Sequence, residues 1–229
     1  MEREVPDYIL DEEKRIKSRK AHARRSFFKK SFTWLSGLIA SIFYLNFESN
    51  WLEVTRKKVS IPNLKNKVPL KILHLSDLHF SSSVSLQDIE IAMREGFALN
   101  PDACLITGDF ITNQKTNEEL EQYSKLLAKF AQNVPIFASL GNHDGGEWTG
   151  SRGGYTNSQK VEMMLKKAGI KLLHNRRESV YLKGHALSIS GVGDLWSKTC
   201  LPQLCLPKRN GRTKLGPSIL LCHNPDAKE

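Results

Sequence analysis

Four short polar motifs, each closing an apolar run, carry the chemistry this 229-residue chain is equipped for: Ser76-Asp77-Leu78-His79, Gly108-Asp109, Gly141-Asn142-His143-Asp144 and Cys222-His223-Asn224-Pro225. Carboxylate, imidazole and amide groups are the donors that a pair of hard-to-borderline divalent cations takes, and such a pair activates water for in-line attack at phosphorus. Asp77 and His79 stand two apart, so an extended or turning segment brings both to one cation. Asp109 follows a glycine that lets the backbone turn sharply, and a carboxylate between two cations can bridge them. Asn142 can offer a neutral carbonyl oxygen, which frees His143 to face substrate. Singly, each motif has a plainer explanation: Asp-x-His and Gly-Asp occur in surface turns, Asn142-His143 suits an Asx-type turn, and His223 could be a satisfied strand-end histidine. The ordered set, its first three members about 30 residues apart, makes coincidence a poor account.

The elements that must position these groups alternate. Leu70 to Leu75 reads as a buried strand, Ser85 to Leu99 as a helix, Ala103 to Thr107 as a strand, Glu118 to Phe130 as an amphipathic helix behind Asn117 as cap, and Val134 to Leu140 as a third strand. Ser158 to Ala168 is a further helix closed by Gly169, and Ile170 to Leu173 a short strand. Beyond it come strands without long helices: Ser179 to Leu182, Ala186 to Gly191 with Gly184 as the turn between them, and Ser218 to Cys222. The expected fold is α/β, a layered sandwich of mixed β-sheets flanked by helices. Polar residues at the ends of successive strands are where ligands bind in such folds.

With these motifs, residues 69 to 226 resemble the calcineurin-like metallophosphoesterase superfamily. The basic and apolar N-terminus, Gly191-Val192-Gly193-Asp194-Leu195-Trp196 and the Leu-Leu-Cys-His-Asn-Pro-Asp ending resemble a membrane-attached bacterial branch, which includes UDP-2,3-diacylglucosamine pyrophosphatases of lipid A assembly. The resemblance implies two divalent ions, Mn²⁺ first, with Mg²⁺, Fe²⁺ or Zn²⁺ as alternatives. It implies that Asp77 and His79 hold one ion, Asn142 and His223 the other, and that Asp109 bridges. His143 would serve the leaving group or the transition-state charge, with Asp144 orienting it. The superfamily pattern continues with a Gly-His-x-His segment beyond His223, which residues 224 to 229 do not contain. The expectation is therefore a domain whose C-terminal part is missing and whose turnover is poor.

Between the third motif and the next helix, Gly145 to Tyr155 is glycine-rich and borders the site. Arg152 could pair a phosphate, and Trp148 or Tyr155 could stack on a base or line an acyl groove, although a plain surface loop explains them as well. Asp194 and Trp196 are candidates for shaping the pocket. Lys208, Arg209, Arg212 and Lys214 form a second basic loop that suits phosphates, headgroups or solvent.

The formal charge of +10 is concentrated at the start: Lys14 to Lys30 holds nine Lys or Arg and no acid. A charge-free, aromatic-rich stretch follows from Ser31 to Phe47. As a helix its residues reach about 25 Å, short of a ~30 Å hydrocarbon core, so a short span, a signal segment and an interfacial helix all remain open. Ala23 to Lys29 resembles a twin-arginine export signal, and no A-x-A cleavage site follows, which favours a retained anchor. The expected organisation is a basic tail (1–30), a membrane anchor helix (31–52), a linker (53–67) and a metallophosphoesterase domain (68–229). The expected location is the bacterial inner membrane, with the catalytic side open. The expected partners are an anionic membrane surface and a membrane lipid or lipid-linked nucleotide, with no nucleic acid. The four cysteines lack zinc-site spacing and disulfide density, so they read as reduced core or loop thiols.

The expected function is divalent-metal-dependent hydrolysis of a phosphoester or pyrophosphate bond, with UDP-2,3-diacylglucosamine the favoured substrate; the alternatives are a general extracytoplasmic phosphodiesterase or phosphatase, and a non-catalytic membrane-bound scaffold.

Overall fold

A computed structural model describes residues 15, 29, 32–39, 41–42, 52–61, 68–207 and 216–228. The chain divides into two units, Met1–Thr55 and Arg56–Glu229. In the first, the described residues 32–39 and 41–42 are helical and exposed. Most of the basic tail, the ends of the expected anchor and residues 62–67 of the linker lie outside the described residues. Among the described residues, no helix is long and apolar enough to cross a membrane.

The second unit builds its first sheet from β1 (Ile72–Leu75), β2 (Ala103–Thr107), β3 (Ile136–Ser139) and β4 (Lys171–Leu172), all parallel and in that order. Parallel neighbours need crossovers, and helices α1 (Leu86–Ala98), α2 (Asn117–Ala131) and α4 (Gln159–Lys167) supply them, with a single turn, α3 (Glu147–Gly150), between β3 and α4. Each of the first two helices opens with a reciprocal capping box. Ser85 Oγ accepts from the Asp88 amide while the Asp88 carboxylate accepts from Ser85, and Thr116 and Glu119 do the same. Thr116, and not the expected Asn117, is therefore the cap of α2. Glu119 stands three residues after Thr116 and closes the box, whereas Asn117 is already the first helical residue.

The second sheet consists of β5 (Arg176–Leu182), β6 (His185–Gly191) and β7 (Ser218–Leu221). β5 and β6 are antiparallel, joined by Lys183-Gly184 with φ of 49° and 85°, the positive values of a two-residue hairpin turn. β7 runs parallel to β6. Mixed pairing is thus confined to this sheet. One core, including Ile106, Phe110, Tyr123, Leu127 and Leu165, lies between the first sheet and its helices. A second, with Leu105, Phe137, Leu182, Ile189 and Leu221, lies between the two sheets. β2 and β3 are buried on both faces, as the unbroken apolar runs 103–106 and 136–138 require.

Candidate metal centre

Because β1, β2 and β3 are parallel, their C-terminal ends share one edge. Asp77 and His79 follow β1, Asp109 follows β2 and Asn142 follows β3, while His223 follows β7 of the second sheet. The segments after β1 and β2 stay paired: the amides of Asp77, His79 and Phe80 donate to the carbonyls of Gly108, Asp109 and Phe110 at 3.1, 2.9 and 3.0 Å. Within this pairing Asp77, His79 and Asp109 adopt φ of 56°, 45° and 55°. Left-handed backbone at three non-glycine residues is disfavoured and gathers where surrounding structure holds a functional geometry in place. Two glycines make the approach possible. A Cβ on Gly108 would stand 2.4 Å from the Gly141 amide nitrogen, and one on Gly141 2.2 Å from Asp109 Oδ1.

The donor atoms converge on Asp109. His79 Nε2 lies 3.4 Å from Asp109 Oδ2 and 3.6 Å from Asp77 Oδ1, and His223 Nε2 lies 3.4 Å from the same Asp109 Oδ2. His223 Nε2 is also 3.1 Å from Asn142 Oδ1. Asp77, Asp109 and His223 bring one donor atom each within 4.8 Å of one another.

Hydrogen bonding on the far side of each ring fixes what these contacts are. His223 Nδ1 donates to the Thr107 carbonyl at 2.8 Å, and a carbonyl only accepts. His79 Nδ1 donates to Thr112 Oγ1 at 3.1 Å, whose own proton goes to the His79 carbonyl. With Nδ1 committed to donation, the neutral tautomer of each ring presents its Nε2 lone pair to the Asp109 carboxylate. Lone pair against lone pair is repulsive unless a cation lies between. Two ligand atoms about 2.1 Å from a common ion and at roughly right angles stand about 3.0–3.4 Å apart, which is the spacing seen. A charge-assisted hydrogen bond from an imidazolium would be nearer 2.8 Å. Two imidazoles, two carboxylates and an amide oxygen fit a pair of divalent cations of borderline hardness.

Asp109 is almost fully buried, and burial pushes its carboxyl above the usual range, opposed by the His143 amide, which donates to Oδ1 at 2.9 Å. His143 donates from Nδ1 to the Thr112 carbonyl at 2.8 Å, which leaves Nε2 for substrate. Its ring meets His79 edge-on at 5.0 Å and Trp148 at 4.8 Å.

Asp144 departs from the expectation that it orients His143, a task the Thr112 carbonyl performs. Its fully buried carboxylate turns inward and accepts the amides of Asp109 and Gly141, both at 2.9 Å, and of Phe110 at 2.7 Å. Burial and the neighbouring Asp109 push this carboxyl up to about 7 against those amides. Asp144 is a positioning residue that ties the end of β3 to the Asp109 turn.

Of the three expected substrate residues, Trp148 and Arg152 lie at the rim. The Arg152 guanidinium sits 4.3 Å over the Trp148 ring and donates to the Trp148 carbonyl at 2.8 Å, and Trp148 stacks against Trp196 at 5.8 Å. Tyr155 does not face substrate. It is buried, its hydroxyl donates to the Lys115 carbonyl at 2.6 Å and accepts the Lys115 amide at 3.0 Å, and these bonds hold the approach to α2. Asp194 is buried too, accepting the Ser197 amide at 2.6 Å in the turn that carries Trp196. The basic loop Lys208–Lys214 lies outside the described residues. Sequence reasoning did not single out Thr107 and Thr112, which act largely through carbonyl groups common to all residues.

Residues 70–227 match the family model for calcineurin-like phosphoesterases. The chain belongs to this family. Among curated relatives, this calcineurin-like phosphoesterase is 32% identical to phosphodiesterase YaeI of Escherichia coli (strain K12), covering 80% of this chain and 62% of that protein. It is 25% identical to UDP-2,3-diacylglucosamine pyrophosphatase LpxG of Chlamydia trachomatis, covering 78% and 64%. It is 27% identical to a transmembrane protein with metallophosphoesterase domain of Danio rerio, covering 69% and 36%. The chain thus spans less than two thirds of the length of each of these relatives.

Proposed function

We propose that the chain is a divalent-metal-dependent hydrolase of a phosphoester or pyrophosphate bond, with UDP-2,3-diacylglucosamine as the favoured substrate and Mn²⁺ as the favoured ion. The observation that carries the hydrolase reading is that His79 Nε2 and His223 Nε2 both lie 3.4 Å from one oxygen of the buried Asp109 carboxylate, with Nδ1 of each ring already engaged elsewhere. Asp77, His79 and Asp109 would hold one ion, and Asp109, Asn142 and His223 the other. When bound, two such ions supply Lewis acidity to phosphoryl oxygens and lower the pKa of water. His143, fixed through Nδ1, directs Nε2 at the leaving group; as the imidazolium it would give the Nε2 proton to the leaving oxygen and keep the Nδ1 proton on the Thr112 carbonyl. Trp148 and Arg152 form the wall on which the organic part of the substrate rests.

The LpxG likeness and the N-terminal segment support a lipid-linked substrate. In residues 32–42, Phe32, Trp34, Leu35, Leu38, Ile39 and Ile42 are exposed. At about 100° per residue they fall on one half of the helix, opposite Thr33, Ser36, Gly37 and Ser41. Thr33 and Ser41 donate their hydroxyl protons to carbonyls four residues back, hiding them from an apolar medium. We read this segment as an interfacial anchor at a bacterial inner membrane, with the basic tail on anionic headgroups. An in-plane anchor keeps the catalytic unit on the side where UDP-linked lipids are made.

YaeI, whose name says phosphodiesterase, favours a second reading, a general phosphodiesterase. Incubation with Mn²⁺ and either UDP-2,3-diacylglucosamine or bis(p-nitrophenyl) phosphate separates the two. Release of UMP supports the first, hydrolysis of the diester alone supports the second, and metal-independent or absent hydrolysis of both removes the hydrolase reading.

A further inference from the structure

The segment after β6 is unusual for a folded surface. Among the described residues of Arg56–Glu229, eleven large hydrophobic side chains are exposed, and five of them, Leu195, Trp196, Leu201, Leu204 and Leu206, fall within twelve residues. Leu204 is 65% and Trp196 48% exposed. Scattered single exposed apolar residues need no explanation, but a run of them marks a surface that meets something apolar.

The segment is also firmly held, so its exposure is not that of a loose strand. The Asn175 side chain accepts the amides of Gly193 and Leu201 at 2.9 Å and donates to the Thr199 carbonyl at 2.8 Å, and Ser190 Oγ donates to the Cys205 carbonyl at 3.1 Å. A Cβ on Gly193 would lie 2.2 Å from the Thr199 carbonyl oxygen, so the turn closes tightly on itself. One end of the segment reaches the metal centre, since Trp196 stacks on Trp148 and Trp148 abuts His143.

The segment itself carries one charge, Lys198, and the sequence that follows it is one-sidedly basic. From Leu195 to Pro225 the sequence has five cations, Lys198, Lys208, Arg209, Arg212 and Lys214, and no carboxylate. At the rim itself the exposed acid Glu147 is paired with Lys198 at 2.7 Å, and Arg152 remains as a further cation. Exposed tryptophan and leucine with Arg152 as an unneutralised cation, and with the rim acid Glu147 already paired to Lys198, complement the interface of a bilayer: the apolar groups enter the acyl boundary and the cations meet anionic headgroups.

We infer that residues 195–206 are a second membrane contact, belonging to the catalytic unit itself, which lays the rim of the metal centre on an anionic lipid surface. This rests on the reading of the substrate as lipid-linked, and it explains how an acylated molecule reaches His143 without leaving the bilayer. Trp148 and Trp196 then line the path between the acyl boundary and the ions.

Hydrogen exchange on the full chain tests it, because the N-terminal anchor and this segment report separately. On vesicles of equal parts phosphatidylglycerol and phosphatidylcholine, amides between Leu195 and Leu206 exchange several-fold more slowly than in solution. On pure phosphatidylcholine the slowing is lost. The variant L201S/L204S loses the protection and binds the anionic vesicles about tenfold more weakly, the effect of removing two partly buried leucine contacts. Its hydrolysis of bis(p-nitrophenyl) phosphate in solution is unchanged. Unaltered exchange at 195–206 in chains bound to the anionic vesicles overturns the inference, as does equal protection on neutral lipid. Failure of hydrolysis with protection intact removes the enzymatic reading and leaves the contact standing.

Discussion

His223 Nδ1 donates to the carbonyl of Thr107 at 2.8 Å, a bond between residues 116 apart that joins the second sheet to the end of β2. This bond sets the ring's tautomer and aims Nε2 at Asp109 and Asn142. The two sheets therefore meet at the metal centre, and packing of Leu221 between them is what brings His223 there. On the proposed division of ligands, His223 from the far sheet would make the second ion site depend on the sandwich, whereas Asp77, His79 and Asp109 all follow strands of the first sheet.

That asymmetry predicts the effect of His223→Ala. One Mn²⁺ should be bound at close to the wild-type affinity and the other weakened by two orders of magnitude or more, on the order of the loss of a ligand or its support. Isothermal titration of the metal-free protein checks it; equal weakening of both ions would mean that the division of ligands is wrong.

Asp144→Asn keeps the shape and loses acceptors. A carboxamide turns an N–H toward amides that the carboxylate accepts from Asp109, Gly141 and Phe110, which strands at least one buried donor at a cost of about 1–3 kcal/mol. Urea unfolding should show that loss, and Mn²⁺ affinity should fall with it because the Asp109 turn is no longer held. Stability reduced with metal affinity intact would separate Asp144 from the site.

His143→Ala should leave Mn²⁺ binding and the unfolding midpoint nearly unchanged and lower kcat by about 10²–10⁴, the range for a positioned proton donor. A parallel loss of ion binding would make His143 a ligand instead.

These assignments divide what the sequence could reveal from what it could not. Donor type is written in the residue names, so Asp77, His79, Asp109, Asn142 and His223 are identifiable, and apolar runs locate the strands that carry them. Direction is not. Asp144 and Tyr155 are as polar as their neighbours, yet both turn inward because each finds backbone amides or carbonyls to satisfy it. Two of the three site histidines, His143 and His223, are positioned by the carbonyls of Thr112 and Thr107, a group that every residue has and no motif distinguishes. The cap of α2 falls at Thr116 and not at the expected Asn117 for a related reason: both are good caps, and the reach of Glu119 back to Thr116 decides.

Asp102 gives a pH signature away from the site. Burial, its largest single influence, raises its pKa, but the Lys71 amide at 2.7 Å and the Lys183 ammonium together outweigh it, so the carboxyl is held below 3.8. A depressed folded-state pKa contributes stability that is complete above the unfolded value and is lost as pH falls through the folded one. Asp102→Asn should therefore lower the unfolding free energy by a constant amount above about pH 5, with the gap to wild type closing below about pH 4. A gap that widens in acid would contradict the sign.

The most direct measurement is the number of Mn²⁺ ions bound by the metal-free protein, followed by the loss of the free-ion electron paramagnetic signal, in wild type and Asp109→Ala. Two saturable ions in the wild type, both weakened by the one substitution, is the result that a shared carboxylate between two imidazole-bearing sites predicts. No saturable binding in the wild type, or two ions bound as tightly without Asp109, would contradict it.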